Sequence, residues 1–498
     1  MAPLRQLSLS RRTLLGLITP AALSLLAACG GSATTSSTAS SALPAATSAS
    51  AVTTAAVTTA RATAASTSAA AAAGTTTTAS AAPVAAAGAV KSAPATLVVS
   101  MWASSPQMDK IMSGQVSKYE DTNPGVKATP LTVTGGPYDQ KLLTMIAGGQ
   151  APDVIEINPD LFADYASRNV MHSLEPFMKV DKTFDINAYL PQQVAGFRWQ
   201  GALGGLPIYN FTFVVYYNKD LFDKAGVAYP ANNWTWDDYQ ATLQKLTTPG
   251  SAGKPGQFGG QVGFAWGNWI GPVWANGGDL FDQGLTKYTL DQTAAVDALQ
   301  YWADLRTKEK VIPMPADAGS LSAYDLFKAE RIATYIWGTS MIPVIQDAKF
   351  KWDVAMIPAG KNGIWHRLGG ACFCVSATTK QQDDAWNVTK WMVGEETQLA
   401  WVGTRLFAPT LIKVANSPQW ADPSKAPANI KAFTDMTAHS RFIAVNYPAE
   451  AETNNALGSA FDPVWLGKQT AKAAAAAAAG PVQTLINAAA AKRTSRLS

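Results

Sequence analysis

The pattern of apolar and polar positions changes period repeatedly between residues 96 and 155. Residues 96–101 (TLVVSM) form a continuous apolar run of strand length, and Trp102 falls just past its end. Residues 109–121 then carry apolar side chains at helical spacing, and Asn123-Pro124-Gly125 closes that helix with turn chemistry. Residues 126–133 alternate into a second strand, Thr134-Gly135-Gly136-Pro137 breaks it, and residues 138–147 return to helical spacing. Gly148-Gly149 stops this helix, and Pro152-Asp153-Val154-Ile155 begins a third strand. Strands alternating with helices predict parallel βαβ units. Ligands in such sheets collect beyond the carboxyl ends of the strands. That edge receives Trp102, Tyr138 and the stretch Asn158-Pro159-Asp160.

A second block follows. Gly205-Leu206-Pro207-Ile208-Tyr209 and the apolar residues 213–217 read as a long β-rich segment. Asn218-Lys219-Asp220 is a polar break into a short helix that Gly226 closes. Thr235 is the expected N-cap of the next helix, with Asp237 and Asp238 at the positive end of its dipole. Residues 258–281 hold Trp266, Trp269 and Trp274 among glycines, with Asp279 the only charge. That composition predicts a loop presenting flat rings rather than a regular packed helix or strand. Trp337-Gly338 follows a strand over residues 332–336.

The N-terminal region has a different character. Arg11 and Arg12 precede an apolar run over residues 14–28, which ends in Leu26-Ala27-Ala28-Cys29. A basic start, a short apolar core and small residues before a cut make an export signal, too short to remain as a membrane span. The cut before a cysteine looks like a bacterial lipobox, in which the thiol of Cys29 is acylated. Ser10-Arg11-Arg12 also resembles a twin-arginine signal, and Leu14 weakens that match, so both export routes stay open. From residue 30 to about 95 the chain is almost wholly Ala, Ser, Thr and Val. Nothing there can offset the entropy of ordering, so a flexible spacer is expected. About 65 residues of this kind reach ~40–50 Å, enough to lift a globular head off a surface.

All 16 tryptophans follow residue 95, and the remaining ~400 residues have the length of two packed lobes. A net charge of +4 without a basic cluster argues against nucleic acid as a partner. Cys372 and Cys374 would share one strand face, where a bridge between such close neighbours is strained, and two small buried side chains are the simpler reading. His172, His366 and His439 are far apart in sequence, and no His/Cys group has metal-ligand spacing, so neither a metal nor a cofactor is expected.

Several short pieces recur in one order: Pro152-Asp153-Val154, Tyr217-Asn218-Lys219-Asp220, Thr235-Trp236-Asp237, Trp274-Ala275-Asn276-Gly277-Gly278-Asp279, residues 327–333 (FKAERIA), Trp337-Gly338 and Gly369-Gly370. This ordered set resembles the bacterial extracellular solute-binding proteins of ABC importers, family 1, the group that includes maltose-binding proteins. The likeness runs from about residue 96 to the C-terminus. It implies the α/β periplasmic-binding-protein fold of type II, with two α/β lobes, a hinge of crossing strands and a ligand cleft between them. The first lobe would comprise about residues 96–209 and 376–405, and the second about 215–367 and 406–498. The crossings would fall at residues 209–214 and 368–375. Ligand closes the lobes of such proteins, and the closed form docks on a membrane permease.

The resemblance also implies a site. A rigid ring offers a large apolar face with a polar edge, which suits the C–H face of a sugar, while amides and carboxylates fix the hydroxyls. Trp102 and Tyr138 would close the cleft from the first lobe. Trp266, Trp274 and Gly277 would belong to the aromatic loop of the second. Trp337 and Gly338 match the place where the family puts an aromatic platform. Asn158, Asp160 and Asn210 are candidates for hydroxyl contacts, Tyr209 opens the hinge crossing, and Arg405 could donate to a ligand or pair with a surface acid. The expected protein is a monomeric receptor for an oligosaccharide, lipid-anchored through Cys29 outside the cell membrane and serving ABC permease subunits. Two other readings compete. A polyamine, peptide or glycerol phosphate could replace the sugar in the same fold. A surface glycoside hydrolase would need two carboxylates flanking the sugar, yet the acid pairs Asp237-Asp238, Asp383-Asp384 and Glu395-Glu396 fall at helix starts or on exposed helical stretches.

Overall fold

The structure, a computed structural model, describes residues 95–134, 138–250, 255–264 and 268–497. The expected signal segment and spacer, with Cys29, and Trp266 lie outside the described residues. The chain runs β1 (Ala95–Ala103), α1 (Pro106–Thr122), β2 (Val126–Thr134), α2 (Tyr138–Ala147), β3 (Val154–Ile157) and α3 (Pro159–Ser167). After α4 (Pro191–Gly196) come β4 (Leu206–Phe211), β5 (Val214–Asn218), α5 (Lys219–Ala225), α6 (Trp236–Leu246), β6 (Pro255–Gln261), α7 (Ile270–Ala275) and α8 (Thr293–Thr307). Then follow β7 (Ile332–Trp337), β8 (Trp352–Ala355), β9 (His366–Arg367), β10 (Gly369–Val375), α9 (Gln382–Val393), α10 (Glu395–Val402) and β11 (Ala408–Pro409). The chain finishes on β12 (Ser440–Arg441), α11 (Glu450–Trp465) and α12 (Ala471–Lys492).

Two sheets form the two lobes. The first has the order β11-β4-β10-β3-β1-β2, with β1 parallel to both β2 and β3, and with β10, β4 and β11 added antiparallel. The second has the order β8-β5-β7-β6, edged by residues 248–249. The opening βαβ units are those expected from the period changes. Ser105 caps α1 by accepting from the Met108 N–H, and Pro106 occupies its first turn, where a missing N–H costs nothing. Thr235 and Asp238 form a reciprocal capping box on α6, and Gly226 closes α5 at φ 63°, a left-handed conformation that favours glycine.

The two sheets are joined directly where β4 of the first leads into β5 of the second. On the return, β9, which pairs with β12 in a two-stranded sheet of its own, leads into β10 of the first sheet. One apolar cluster runs through both lobes, from Leu97, Val99 and Met108 to Val214, Tyr216 and Phe327. A second core belongs to the second lobe and combines Trp269, Ile270, Trp274 and Leu299 with Phe461, Val482 and Ile486. In α12 the buried positions are Ala471, Ala474, Ala475, Ala478, Val482, Ile486 and Ala489. That spacing is one helix face, and alanine there lets α12 lie close against α11 and α8.

Three expectations are corrected. Trp102 lies within β1, opposite Val133 of β2, rather than past the end of the strand. The chain does not leave the first lobe at residue 405, because Ala408 and Pro409 pair with Asn210 and Tyr209 at the edge of the first sheet. The C-terminal helices pack on the second lobe, and only their far end also reaches the first, where the carbonyl of Ser495 accepts from Trp199 Nε1 at 2.9 Å and Lys492 pairs with Asp164 of α3 at 3.3 Å. The tryptophan stretch is also more regular than its glycines imply. Trp274 sits in α7, and Trp269 and Trp274 are buried in the second core. The glycines serve close packing: a side chain on Gly271 would meet the backbone of His366, and one on Gly278 the backbone of Ala295.

The same logic holds α6 against β6. A Cβ on Gly259 would stand 2.1 Å from the Leu243 carbonyl oxygen and 2.5 Å from the Leu243 Cα. Backbone cannot move aside as a side-chain tip can. Gly259→Ala is therefore expected to destabilise the protein by about 1–3 kcal/mol, read as a lower urea midpoint with an unchanged slope. An unaltered midpoint would mean that α6 does not rest directly on the strand.

Candidate functional site

Glu156 occupies the middle of β3, in the heart of the first sheet, and is 1 % exposed. Its carboxylate accepts the Trp102 N–H at 3.0 Å and the Tyr209 hydroxyl at 3.1 Å, and its own carbonyl accepts the Tyr138 hydroxyl at 2.6 Å. Two residues expected at the cleft edge, Trp102 and Tyr138, and one expected at the hinge, Tyr209, thus converge on one buried acid. Burial pushes the Glu156 carboxyl up to about 8, opposed by the Trp102 and Tyr209 hydrogen bonds and reinforced by Asp139. Tyr138 and Tyr209 are themselves buried, and burial holds both phenols well above their ordinary range. Tyr138 supports the first-lobe wall from beneath and presents no ring to the cleft.

From Tyr209 an aromatic series crosses the hinge. Tyr209 stacks on Phe407 with ring centres 4.0 Å apart. Phe407 meets Phe211 at 6.2 Å, Phe211 meets Phe213 edge-on at 5.2 Å, and Phe213 meets Trp337 edge-on at 6.0 Å. Trp337 in turn stacks on Tyr335 at 5.6 Å, and its Nε1 donates to Ser340 Oγ at 3.1 Å. Trp337 is half-buried at the end of β7, on the second lobe. Gly338 beside it leaves room for Phe211, whose ring would lie 2.3 Å from any Cβ there, and its carbonyl accepts from the Tyr216 hydroxyl at 2.7 Å.

Asn210 is fully buried within the hinge. Its Oδ1 accepts from Gln193 Nε2 at 2.8 Å, and its Nδ2 donates to Thr437 Oγ1 at 2.7 Å. Both of its polar atoms are occupied by protein, so it binds hinge segments to one another. Asn158 and Asp160 sit at the carboxyl end of β3, as expected, half-buried at the start of α3. Asn158 caps α3 by position but not through its side chain, which bonds to Asp139 instead. Burial, and secondly the neighbouring Asp160, push the Asp139 carboxyl up to about 6. Opposite them, on the second lobe, Glu450 opens α11, which packs against α3.

Other expected residues lie elsewhere. Trp274 Nε1 donates to Asp279 Oδ1 at 2.8 Å, and the Arg441 guanidinium lies 4.2 Å above its ring while pairing with Asp279 at 2.6 Å. It is a core residue. Gly277, at φ 84°, turns the chain after α7. Arg405 donates to the carbonyls of Ala426 and Asp422 at 2.6 and 3.4 Å and so holds a neighbouring loop. Neither Glu156 nor Glu450 was anticipated. A single acid within a strand, or one more acid at a helix start, carries no distinguishing sequence pattern.

The second lobe also encloses an aromatic cavity of about 20 Å³, room for one water, lined by Phe213, Trp236, Asn268, Trp302, Trp365 and His366 among others. Asn268 Oδ1, Trp302 Nε1 and His366 Nδ1 have no hydrogen-bond partner among the described residues. Burial lowers the His366 imidazole to about 3, so it is neutral. A wider cleft of about 430 Å³ separates α4 of the first lobe from Asp279, Phe281 and residues 440–445.

Two α/β lobes with strand crossovers and a wall of polar groups at the carboxyl ends of the first-lobe strands define a type II periplasmic-binding-protein fold. Residues 102–399 match the model of the bacterial extracellular solute-binding proteins, and the chain belongs to that family. An ABC substrate-binding protein of Listeria monocytogenes, solved in complex with cycloalternan, superposes with a TM-score of 0.71 at 26 % identity, covering 79 % of this chain and 99 % of that one. The arabinooligosaccharide-binding protein of Bacillus subtilis is 26 % identical over 53 % of this chain and 60 % of its own length. The sn-glycerol-3-phosphate-binding periplasmic protein of Escherichia coli K12 is 23 % identical over 74 % of this chain and 82 % of its own length. The protein is therefore a substrate-binding component of the ABC-importer type, and its family and neighbours are binding proteins rather than enzymes. Among the described residues no helix is long and apolar enough to cross a membrane.

Two outcomes test the site's construction. Asn210→Ala leaves Gln193 and Thr437 without their partner and is expected to cost about 2 kcal/mol of unfolding free energy; an unchanged urea midpoint would show that water replaces it freely. Glu156 titrates near 8 when folded and near 4.5 when unfolded, so its contribution is full below pH 4.5 and is lost as pH rises through 8. Stability should fall between pH 5.5 and 8, and Glu156→Gln should narrow that fall, as measured by urea unfolding at both values.

Proposed function

We propose that this protein captures a carbohydrate, an oligosaccharide in particular, by closing its two lobes and delivers it to an ABC permease. It does so from the outer face of the cell membrane, anchored by lipid at Cys29. The observation that carries the reading is the aromatic series ending in Trp337. A rigid, half-buried indole at the end of a second-lobe strand is the kind of surface on which a sugar ring packs. Asn158 and Asp160, at the carboxyl end of β3 on the first lobe, supply polar groups suited to hydroxyls. The Listeria neighbour bound to cycloalternan and the arabinooligosaccharide-binding relative support the same class of cargo.

A glycerol phosphate is the second reading, because the E. coli relative binds one. A phosphate calls for converging cations or an open helix N-terminus. Here the start of α3 carries Asp160, with Asp139 and Glu450 close by and Arg367 the cation among them. That charge balance favours a neutral polyol over a phosphate.

A melting screen against oligosaccharides, monosaccharides and sn-glycerol 3-phosphate separates the two. A ligand at 100 times its Kd adds ~2.7 kcal/mol of stability, and an oligosaccharide is expected to give the shift; a shift with the phosphate alone would overturn the sugar reading. With the sugar in hand, Trp337→Ala should raise Kd about five- to tenfold, the equivalent of ~1–1.4 kcal/mol of lost stacking, while the far-UV spectrum is retained. Unchanged affinity would return Trp337 to the hinge core.

A further inference from the structure

The contact of α3 with α11 joins the two lobes through a buried acid. Glu450, the first residue of α11, is 7 % exposed. From the second lobe it receives the Ala444 N–H and the Asn454 side chain. From the first lobe it faces Asp160 of α3, with Asp139 of α2 behind Asp160, and Arg367 of β9 is the cation beside it. Asp164, one turn along α3, is drawn toward Lys492 and Arg168 instead. Glu452, the next acid on α11, is exposed. Among the described residues, Glu450 and Asp160 meet where the lobes touch, with Asp139 near Asp160 and the Arg367 guanidinium near Glu450.

We propose that bringing the lobes together takes up a proton at Glu450, so that acid favours the closed form and rising pH favours opening. The inference rests on the reading that this protein works by lobe closure. Its physical basis is the difference between the two states. With the lobes together, burial and then the Asp160 charge push the Glu450 carboxyl up to about 8; with them apart, water reaches it and the ordinary value near 4.5 returns. Between those limits the closed form holds the extra proton. Each unit of pH then shifts the closing equilibrium by up to tenfold. Glu156 lies inside the first sheet and is buried in either state, so it alters stability rather than closure.

The test uses the full chain with no ligand added. Cys372 and Cys374 are fully buried, so with Cys29→Ser also introduced spin labels can be placed selectively on Lys141→Cys in the first lobe and Lys361→Cys in the second, both exposed positions. The interlobe distance, measured by double electron–electron resonance, should lengthen from pH 5.5 to 8.5. Glu450→Gln should hold the short distance throughout, and Asp160→Asn should shrink the change while leaving Glu450 in place. A distance independent of pH in the unmodified sequence would overturn the proposal, as would the same lengthening in both variants. Since no sugar is present, a failed sugar screen leaves this outcome intact, and a failed distance measurement leaves the sugar reading intact.

Discussion

A carboxylic acid in the centre of a sheet is expensive to bury, and the first lobe is arranged around meeting that cost. The hydrogen bonds to Glu156 come from neutral donors. It is held by a backbone N–H from β1 and a phenol from β4, while a second phenol from α2 binds its carbonyl. Those three donors come from three separate elements. Each is thereby fixed relative to β3, whose carboxyl end carries Asn158 and Asp160. The polar wall of the cleft is positioned by a network beneath it, and such a network is costly when only partly satisfied.

The consequence extends across the hinge. Tyr209 is both the Glu156 donor and the first ring of the series through Phe407, Phe211 and Phe213 to Trp337. Aromatic rings packed face and edge leave little freedom for independent rotation. Trp337 on the second lobe is therefore referenced to Glu156 on the first through packed rings, not merely through the chain. Phe407 enters this series from the segment just before β11, which explains why the chain stays on the first lobe past residue 405. The two-residue strand at Ala408–Pro409 fastens that ring beside β4.

What could be read in advance follows from which signals are local. The opening βαβ units, the Thr235 cap and the Gly226 stop were legible, because period, caps and positive-φ glycines are written into neighbouring residues. Asn158 and Asp160 were placed at the correct edge by the same logic. The residues 258–281 misled, since glycine between tryptophans marks close backbone approach as readily as it marks a loop. Gly271 and Gly278 are instances of that approach, and Trp274 is consumed by the Asp279–Arg441 pair. Arg441 is 162 residues from Asp279, a distance over which no sequence pattern reports. Glu156 and β11 escaped for the same reason, one a lone acid and the other a two-residue strand, both given meaning by partners from distant segments.

The division of chemistry between hinge and lobe contact suits a protein that must open as well as close. The hinge is apolar and aromatic, and Asn210 within it is paired with protein atoms through both of its side-chain polar groups. Parting it would expose apolar surface at roughly 25 cal/mol per Å², so it stays shut. Where α3 meets α11 the groups are instead carboxyls and an amide: Asp160, Glu450 and Asn454. Exposing these to water returns hydration that burial removed, which offsets the packing given up on opening. The lobe contact of an empty cleft is thus finely balanced, and on the proposal above the charge at Glu450 decides which way it leans. A ligand can shift that balance further only by interacting differently with the open and closed states, and on the proposed reading a carbohydrate held between the lobes would do so.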